Sequence, residues 1–237
     1  MNEQEILAYL ERDKTIRIDM IEAIRRKTAR VLYAEPDAVL LTEAERFCLV
    51  VSDTVEAGRR ALKTVPESIC LFVAHNEASR DAVFETFPTI NHAAACWQAY
   101  YPGKEPIPVP PVCEIRPFPK EELPFLLSVY DPDGDPERYR ERIEQGDVLA
   151  AYRDGALAGF IGFHGDGSGG MLEVLPQFRR LGIGSALEIA LHNLALSRGW
   201  TPYGQIYTTN NASRKLQESL GMVVSDNELY WMYEERD

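Results

Sequence analysis

The chain has 237 residues, of which 45% are apolar, and its 25 basic and 37 acidic side chains give a formal net charge of −12. This length suits one large domain or two small ones, with enough residues for a hydrophobic core. The negative charge argues against nucleic acid and against a membrane surface as partners, and no apolar run approaches the roughly 20 residues of a membrane span.

The N-terminal sequence, M-N-E-Q-E-I-L-A-Y-L, predicts an acidic amphipathic helix and not a signal peptide, so we expect a cytoplasmic protein. The four cysteines have no close pairwise spacing and stand mostly in apolar, strand-like segments. This pattern is typical of buried thiols in a reducing compartment, and no metal site is expected. The cysteines are Cys48, Cys70, Cys96 and Cys113.

The first half of the chain predicts alternating strands and helices. An apolar strand at Phe47–Val51 precedes a helix that contains Ala57–Leu62, and a second strand follows at Ile69–Val73. A proline-rich segment at 103–118 then predicts an extended connector. It divides the chain near residue 110, into domains 1–110 and 111–237.

The second half predicts a longer succession of elements. In chain order they are strand 113–117, helices 121–130 and 135–145, strands 148–154, 156–164 and 169–175, helix 182–198, strand 202–208, helix 211–220 and a pair of strands within 222–234.

The most informative segment joins the strand Met171–Leu175 to the long helix. It contains the pattern R-x-x-G-x-G, from Arg179 to Gly184. Glycines let backbone N–H groups turn toward one point, and the helix N-terminus adds partial positive charge, so this pattern is typical of phosphate binding. It is neither G-x-x-x-x-G-K-[ST] nor G-x-G-x-x-G, which would need a glycine where Leu187 stands. A glycine-containing turn with surface arginines is the simpler alternative.

A second motif follows one strand later, where N-N-A-S-R-K-L-Q-E-S-L-G-M runs from Asn210 to Met222. Together the two motifs resemble the signatures of the GNAT superfamily of N-acetyltransferases, of which the second usually reads N-x-x-A-x-x-L-Y-x-x-x-G-F. The resemblance implies an α/β fold with a mixed sheet and helices on both faces. It also implies metal-free acyl transfer from acetyl-CoA, or another acyl-CoA, to a small primary amine or amino acid.

The first half resembles a diverged copy of the second. The segment N-E-A-S-R at Asn76 mirrors the motif at Asn210, and Trp97 and Trp231 each follow their asparagine by 21 residues. The first half has no R-x-x-G-x-G, so we expect a degenerate GNAT-like half that does not bind CoA. Such a tandem arrangement resembles the bacterial members of the glycine N-acyltransferase-like branch.

The resemblance also implies which residues hold the cofactor. In this fold the fourth strand splays from the fifth, so its backbone would hold pantetheine and the thioester, while the glycine loop would cradle the pyrophosphate and Asn210 would bond to the pantetheine arm. The predicted cofactor-binding residues are Leu172, Val174, Leu175, Arg179, Arg180, Leu181, Gly182, Ile183, Gly184, Ser185, Asn210 and Ser213.

Two side chains are candidates for removing the proton of the acceptor, because an alkylammonium with a pKa near ~10 must be deprotonated before attack. Glu173 points to the opposite face of its strand from Leu172 and Val174 by simple alternation. His164 closes the preceding strand and could face Glu173 across the hairpin. The alternatives are a salt-bridged structural carboxylate and a turn residue.

The candidate general acid departs from the family pattern. Gln217 stands where the family usually has tyrosine, so we take Tyr230 as the candidate proton donor to the thiolate, with Tyr203 and Tyr207 as alternatives.

The absence of the family's tyrosine keeps a second function open, that of a catalytically idle acyl-CoA-binding or sensing module. A kinase or nucleotide-binding function would need a lysine or Mg²⁺ ligand near the loop. The sequence leaves open whether the chain forms a homodimer.

Overall fold

The computed structural model describes residues 1–43 and 47–235. The helices are α1 Glu3–Leu10, α2 Ile18–Arg25, α3 Val55–Leu62, α4 Glu77–Thr86, α5 Leu123–Tyr130, α6 Pro136–Glu144, α7 Ile183–Ser197 and α8 Asn211–Ser219, with 3-10 turns at Glu11–Asp13, Lys120–Glu122 and Pro176–Phe178. The strands are β1 Ala29–Glu35, β2 Ala38–Glu43, β3 Phe47–Ser52, β4 Phe72–Ala74, β5 His92–Tyr100, β6 Glu114–Pro117, β7 Val148–Arg153, β8 Ala156–Phe163, β9 Gly169–Val174, β10 Tyr203–Tyr207 and β11 Val223–Tyr233.

The chain divides into two compact units that do not follow the predicted boundary at residue 110. The described residues of unit 1 lie within Met1–Tyr100, Gln205–Glu218 and Met222–Asp237, and unit 2 consists of Tyr101–Gly204 and Ser219–Gly221. Unit 1 therefore contains the C-terminal strand, because β11 pairs with strands of the first half.

Unit 1 is built on a mixed seven-stranded sheet in the order β1-β2-β3-β4-β11-β5-β10. Successive residues of a strand point to opposite faces, and here both faces are covered. Val39 and Leu41 of β2 pack with α1 and α2, whereas Leu40 packs with α3 and α4. Burial on both faces explains why β2 and β3 are continuous apolar runs.

The C-terminal segment is one strand and not the predicted pair. β11 lies between β4 and β5, antiparallel to both, with an irregularity between Val224 and Glu228. There the Ser225 hydroxyl accepts a hydrogen bond from the Gln98 N–H at 3.0 Å and donates one to the carbonyl oxygen of Asn227 at 2.7 Å. The polar residues that suggested a turn form a bulge within a continuing strand.

The four central strands of this sheet are arranged symmetrically with respect to the two halves of the chain. β4 and β10 each precede an asparagine motif, β5 and β11 follow the motif helices, and the strands are ordered β4-β11-β5-β10. Arg80 and Arg214 hold corresponding motif positions. The guanidinium of Arg80 lies 4.9 Å from the ring centre of Tyr230 on β11, and that of Arg214 lies 4.2 Å from Trp97 on β5. This correspondence supports the predicted repeat.

Unit 2 is built on an antiparallel four-stranded sheet in the order β6-β7-β8-β9. Helices α5 and α6 cover one face, where Leu126, Tyr139 and Phe160 are buried together. Helix α7 covers the other face through Ile183 and Leu191, among others. The site described below lies at the β9 edge of this sheet.

The proline-rich segment is attached to α7. The side-chain amide of Asn193 accepts a hydrogen bond from the N–H of Ile107 and donates one to its carbonyl oxygen, both at 2.8 Å. The ring of Tyr101 stacks on His192 with centroids 6.1 Å apart.

The cysteine prediction holds only in part. Cys48 and Cys96 are buried, Cys113 is half-buried and Cys70 is exposed, because Cys70 precedes β4 and lies outside the sheet. Among residues 1–43 and 47–235, none of the helices has the length and hydropathy that crossing a bilayer requires.

Candidate active site at the β9 edge

Strand β9 is distorted by a bulge. Phe160 of β8 pairs with Glu173 and Gly162 pairs with Gly170, so two residues of β9 oppose one of β8. Met171, in the bulge, has a positive φ of 54°, which is uncommon for a residue with a side chain. A bulge interrupts the ladder and redirects the side chains next to it.

The two faces of β9 carry different side chains. Glu173 lies opposite Phe160 on the face that α5 and α6 cover. Leu172 and Val174 lie on the α7 face, where a Cβ built on Gly184 would be 4.0 Å and 3.8 Å from their side chains. The predicted orientation of Glu173, opposite to Leu172 and Val174, agrees with this geometry.

The outer edge of β9 has no partner strand in its sheet, since β9 ends the four-stranded order. The chain comes close to its first residue, where a Cβ built on Gly204 would lie 2.8 Å from the carbonyl oxygen of Gly169. An edge strand presents free N–H and C=O groups. These can hold an extended, amide-containing ligand in the manner of an added strand.

The loop between β9 and α7 has the geometry of an anion site. Arg180 and Gly182 have positive φ values of 64° and 79°, and left-handed residues of this kind turn successive N–H groups toward one point. The first intrahelical bond of α7 runs from Ala186 to the carbonyl oxygen of Gly182, and no side chain caps the helix. The N–H groups of Ile183, Gly184 and Ser185 are therefore free to bind phosphate oxygens.

The two arginines of the loop have different positions. The Nε of Arg179 donates a hydrogen bond of 2.9 Å to the carbonyl oxygen of Val174, so this side chain fixes the end of β9. Arg180 is exposed, and no ion pair to it is found in the described part of the chain. Leu181, which follows Arg180, is 41% exposed. Leu175 donates its N–H to Ala158 and so keeps the strand end in the sheet.

His164 is held by the tight turn that joins β8 to β9. Its N–H donates to the carbonyl oxygen of Ser168, and its carbonyl oxygen accepts from the N–H of Gly167, both at 2.9 Å. The imidazole lies against Gly170, where an added Cβ would be 2.2 Å from Nε2. Only a residue without a side chain leaves room for the ring at this position.

Charged groups on two elements act on the imidazole. Burial lowers the pKa of His164 below its usual range, the Asp166 carboxylate opposes this shift, and the Arg138 guanidinium adds to it. Asp166 is fixed in the turn by the N–H and hydroxyl of Ser168, at 3.0 Å and 2.7 Å. His164 is therefore neutral near pH 7 and can accept a proton.

The predicted contact between His164 and Glu173 across the hairpin is wrong. Glu173 pairs with Phe160, four residues before His164, whereas His164 lies beside Gly170. The two side chains lie on the same face, on either side of the bulge. No hydrogen bond or ion pair to the Glu173 carboxylate is found among residues 1–43 and 47–235.

The candidate tyrosines differ in their surroundings. Tyr203 is buried and donates its hydroxyl to the carbonyl oxygen of Asp166 at 2.6 Å, which explains it as a structural residue. Tyr207 is 59% exposed. Tyr230 belongs to the core of unit 1, and burial, with the Glu228 carboxylate, raises its pKa.

Asn210 and Ser213 belong to unit 1, and the other predicted cofactor residues belong to unit 2. The Asn210 side chain accepts a hydrogen bond of 3.0 Å from the N–H of Ser213 and so caps α8. Asn76 caps α4 in the same way, through Ser79 at 2.8 Å. Capping accounts for these asparagines without a ligand.

The corresponding region of the first half is closed. β3 pairs with β4 in parallel, from Cys48 with Phe72 to Val50 with Ala74, so the backbone edge that β9 leaves free is used there. Helix α3 is capped by Thr54, whose hydroxyl accepts the N–H of Ala57 at 3.1 Å. These contacts support the prediction that the first half does not bind CoA.

Three residues near the site were not predicted. Gly170 and Asp166 stand in the segment around His164, H-G-D-G-S-G-G, whose glycines could have indicated a close backbone approach. Arg138 lies on α6, far from β9 in sequence, and nothing in its local pattern distinguishes it from its neighbours.

Comparison with known proteins agrees with this geometry. Residues 114–222 match the model of the acetyltransferase (GNAT) family. No curated protein matches the chain.

Similar folds occur in several solved structures. A Drosophila protein has a TM-score of 0.66 at 15% identity, covering 98% of this chain and 95% of that one. A GCN5-related N-acetyltransferase from Kribbella flavida has a TM-score of 0.61 at 13% identity, with coverages of 94% and 96%. A GNAT-family acetyltransferase from Colwellia psychrerythraea has a TM-score of 0.54 at 11% identity, with coverages of 98% and 97%. The chain thus has the α/β GNAT fold with a mixed sheet, and the predicted fold class is confirmed.

Proposed function

We propose that the protein is an N-acyltransferase that moves an acyl group from acetyl-CoA, or another acyl-CoA, directly to a small primary amine or amino acid. The observation that carries the proposal is the uncapped N-terminus of α7, preceded by Arg180 and Gly182 in left-handed conformations. This loop adjoins the free edge of β9. Together they suit a ligand with a pyrophosphate at one end and an amide-containing arm at the other.

The residues that would hold the cofactor follow from this arrangement. Backbone N–H groups from Ile183 to Ser185 would bind the pyrophosphate, and the exposed side chain of Arg180 would reach a phosphate. The edge of β9 at Leu172 and Val174 would bind the pantetheine arm. When bound, the cofactor supplies an activated acyl group as a thioester.

The acceptor amine must reach this group without its extra proton. We take His164 as the first candidate for the base, because burial lowers its pKa and leaves it neutral, and Glu173 as the second candidate, on the same face. The base would take the extra proton of the ammonium. The amine nitrogen would then form a bond to the acyl carbon as the carbon–sulfur bond breaks, and the second proton that the nitrogen loses in forming the amide would pass to the departing thiolate.

Replacing each base separately distinguishes the two candidates. His164→Gln should lower kcat by roughly 100-fold if His164 is the base, and the low-pH limb of the wild-type kcat/KM profile should lie below the ordinary histidine pKa of about 6.5. Glu173→Gln should then change kcat by only a few-fold. The opposite result, a large loss in Glu173→Gln alone, would make Glu173 the base.

The function itself is tested by measuring free thiol release from acetyl-CoA with a panel of amines, together with calorimetric titration of acetyl-CoA. We expect amine-dependent release and one binding site per chain. Binding without turnover of any amine would favour an acyl-CoA-binding or sensing module, which Gln217 at the family's tyrosine position would suit. Two equivalent sites would contradict the assignment of a silent first half.

A further inference from the structure

The hydrogen-bond pattern of β9 decides which of its backbone groups point to the outer edge of the sheet. The N–H of Leu175 donates to the carbonyl oxygen of Ala158 on β8, and Glu173, two residues earlier, pairs with Phe160. In an antiparallel ladder, hydrogen-bonded and non-hydrogen-bonded pairs alternate. Val174 lies between Glu173 and Leu175 and therefore directs its N–H and C=O away from β8, toward the edge at which the four-stranded sheet ends.

The chain itself occupies the outward carbonyl oxygen of Val174. The Nε of Arg179, in the loop that leads to α7, donates a hydrogen bond of 2.9 Å to this oxygen. The Arg179 side chain is exposed, so water can satisfy both groups when the bond opens, and the net cost of opening is small. An amide-containing ligand that adds to the edge of β9 as a further strand would offer an N–H to the same oxygen.

The first half of the chain closes the corresponding carbonyl with a buried group. Val50 of β3 corresponds to Val174 of β9, since each is the fourth residue of its apolar strand segment. The carbonyl oxygen of Val50 accepts the backbone N–H of His75 at 2.9 Å, and His75 is 1% exposed. Opening that bond would disturb the paired strands β3 and β4. In the second half, only one exposed side chain has to move.

We propose that Arg179 is a latch on the edge of β9: it occupies the carbonyl oxygen of Val174 in the ligand-free protein, and the pantetheine arm of the acyl-CoA displaces it. The inference rests on the proposed function and adds a self-inhibitory contact to the cofactor site. The arm binds only to molecules in which the latch is open, so the apparent affinity for the arm is lowered in proportion to their fraction.

Fragments of the cofactor test the latch. Acetylpantetheine carries the arm and the thioester without the pyrophosphate, and ADP carries a pyrophosphate without the arm. Arg179→Met keeps an unbranched side chain but cannot donate a hydrogen bond. In this variant, acetylpantetheine should bind roughly 3- to 10-fold more tightly in an NMR titration, as expected when one competing hydrogen bond is removed. ADP should bind no more tightly than it does to wild-type protein.

A second measurement follows the latch directly in wild-type protein. The Nε–H resonance of Arg179, assigned by its absence from the spectrum of Arg179→Met, should exchange with water faster once acetylpantetheine is added, because the ligand has taken its acceptor. Arg116→Met is the matched control. It removes an exposed arginine from β6, at the opposite edge of the same sheet, and should leave the affinity for acetylpantetheine unchanged.

The outcomes that overturn the latch are distinct from those that overturn the function. Unchanged acetylpantetheine affinity in Arg179→Met would mean that the oxygen of Val174 accepts both hydrogen bonds at once, and weaker binding would mean that Arg179 only holds the end of the strand. Either result excludes the latch while N-acyl transfer stands. Failure of acetyl-CoA to bind wild-type protein would overturn the cofactor assignment, and the latch with it.

Discussion

His192 is a buried histidine of α7 that the proposed reaction does not use. It is 5% exposed, its ring stacks on Tyr101, and its Nε2 lies 3.7 Å from the carboxylate of Glu188. Burial lowers its pKa to about 4. In the unfolded chain the same group has a pKa of about 6.5, so the two states bind different numbers of protons between these pH values.

Stability should therefore depend on pH through His192. The stability that follows from this pKa difference is fully present above about pH 6.5 and is lost as pH falls toward 4, because the unfolded chain takes up the proton first. The loss is about 3 kcal/mol at most. His192→Phe, which keeps a ring to stack on Tyr101, should remove this part of the dependence in urea unfolding at pH 7.5 and 4.5. His92→Gln, at a more exposed site, serves as the control. Equal pH dependence in wild type and His192→Phe would contradict the assignment.

At single positions, the sequence predicts the face of β9 on which Glu173 lies. It does not predict that Glu173 and His164 are apart, because simple alternation cannot locate the bulge at Met171.

At the level of elements, the sequence predicts the second half closely. The strand–loop–helix unit around Gly182 follows from an apolar run, two glycines and helical periodicity, all of which are local signals. The error at Ser225–Asn227 has a physical cause: polar residues in a bulge resemble a turn unless the neighbouring strands are known.

The phosphate role of the loop can be separated from its conformation with two matched glycines. Gly182 and Gly199 flank α7, with positive φ of 79° and 74°, and an added Cβ meets nothing closer than 3.7 Å at Gly182 and nothing within 4 Å at Gly199. Replacing either with alanine should cost about 1–2 kcal/mol of stability, because the left-handed conformation is strained for alanine. Only Gly182→Ala should weaken acetyl-CoA binding, by tenfold or more, an amount equivalent to about 1.4 kcal/mol.

Thermal unfolding and calorimetric titration of both variants check this prediction. If Gly182→Ala and Gly199→Ala bind acetyl-CoA equally well, the loop is structural and the cofactor assignment fails.

At the level of the whole molecule, the two sequence halves do not correspond to the two compact units. The sequence predicts a repeat and a connector, and both halves contain the expected elements. It does not predict that β11 is placed between β4 and β5, since strand pairing over more than 100 residues leaves no local signal. The first half supplies β4 and β5, the two strands with which β11 pairs.

We therefore expect the two fragments to stay associated after the connector is cut. A specific protease site inserted at Lys104, in an exposed segment without helix or strand, would yield fragments 1–104 and 105–237. β11 belongs to the second fragment and lies between β4 and β5 of the first. Its side chains Leu229 and Met232 are completely buried, and burying each contributes about 1.5–3 kcal/mol. The cleaved protein should elute in gel filtration as the intact chain does and should separate into two fragments only in denaturant, which also verifies complete cleavage.

Substituting Met232→Glu in the cleaved protein should promote separation, because a carboxylate would then be buried without a partner in the sheet. If the fragments separate under native conditions without this substitution, β11 does not hold the two halves together.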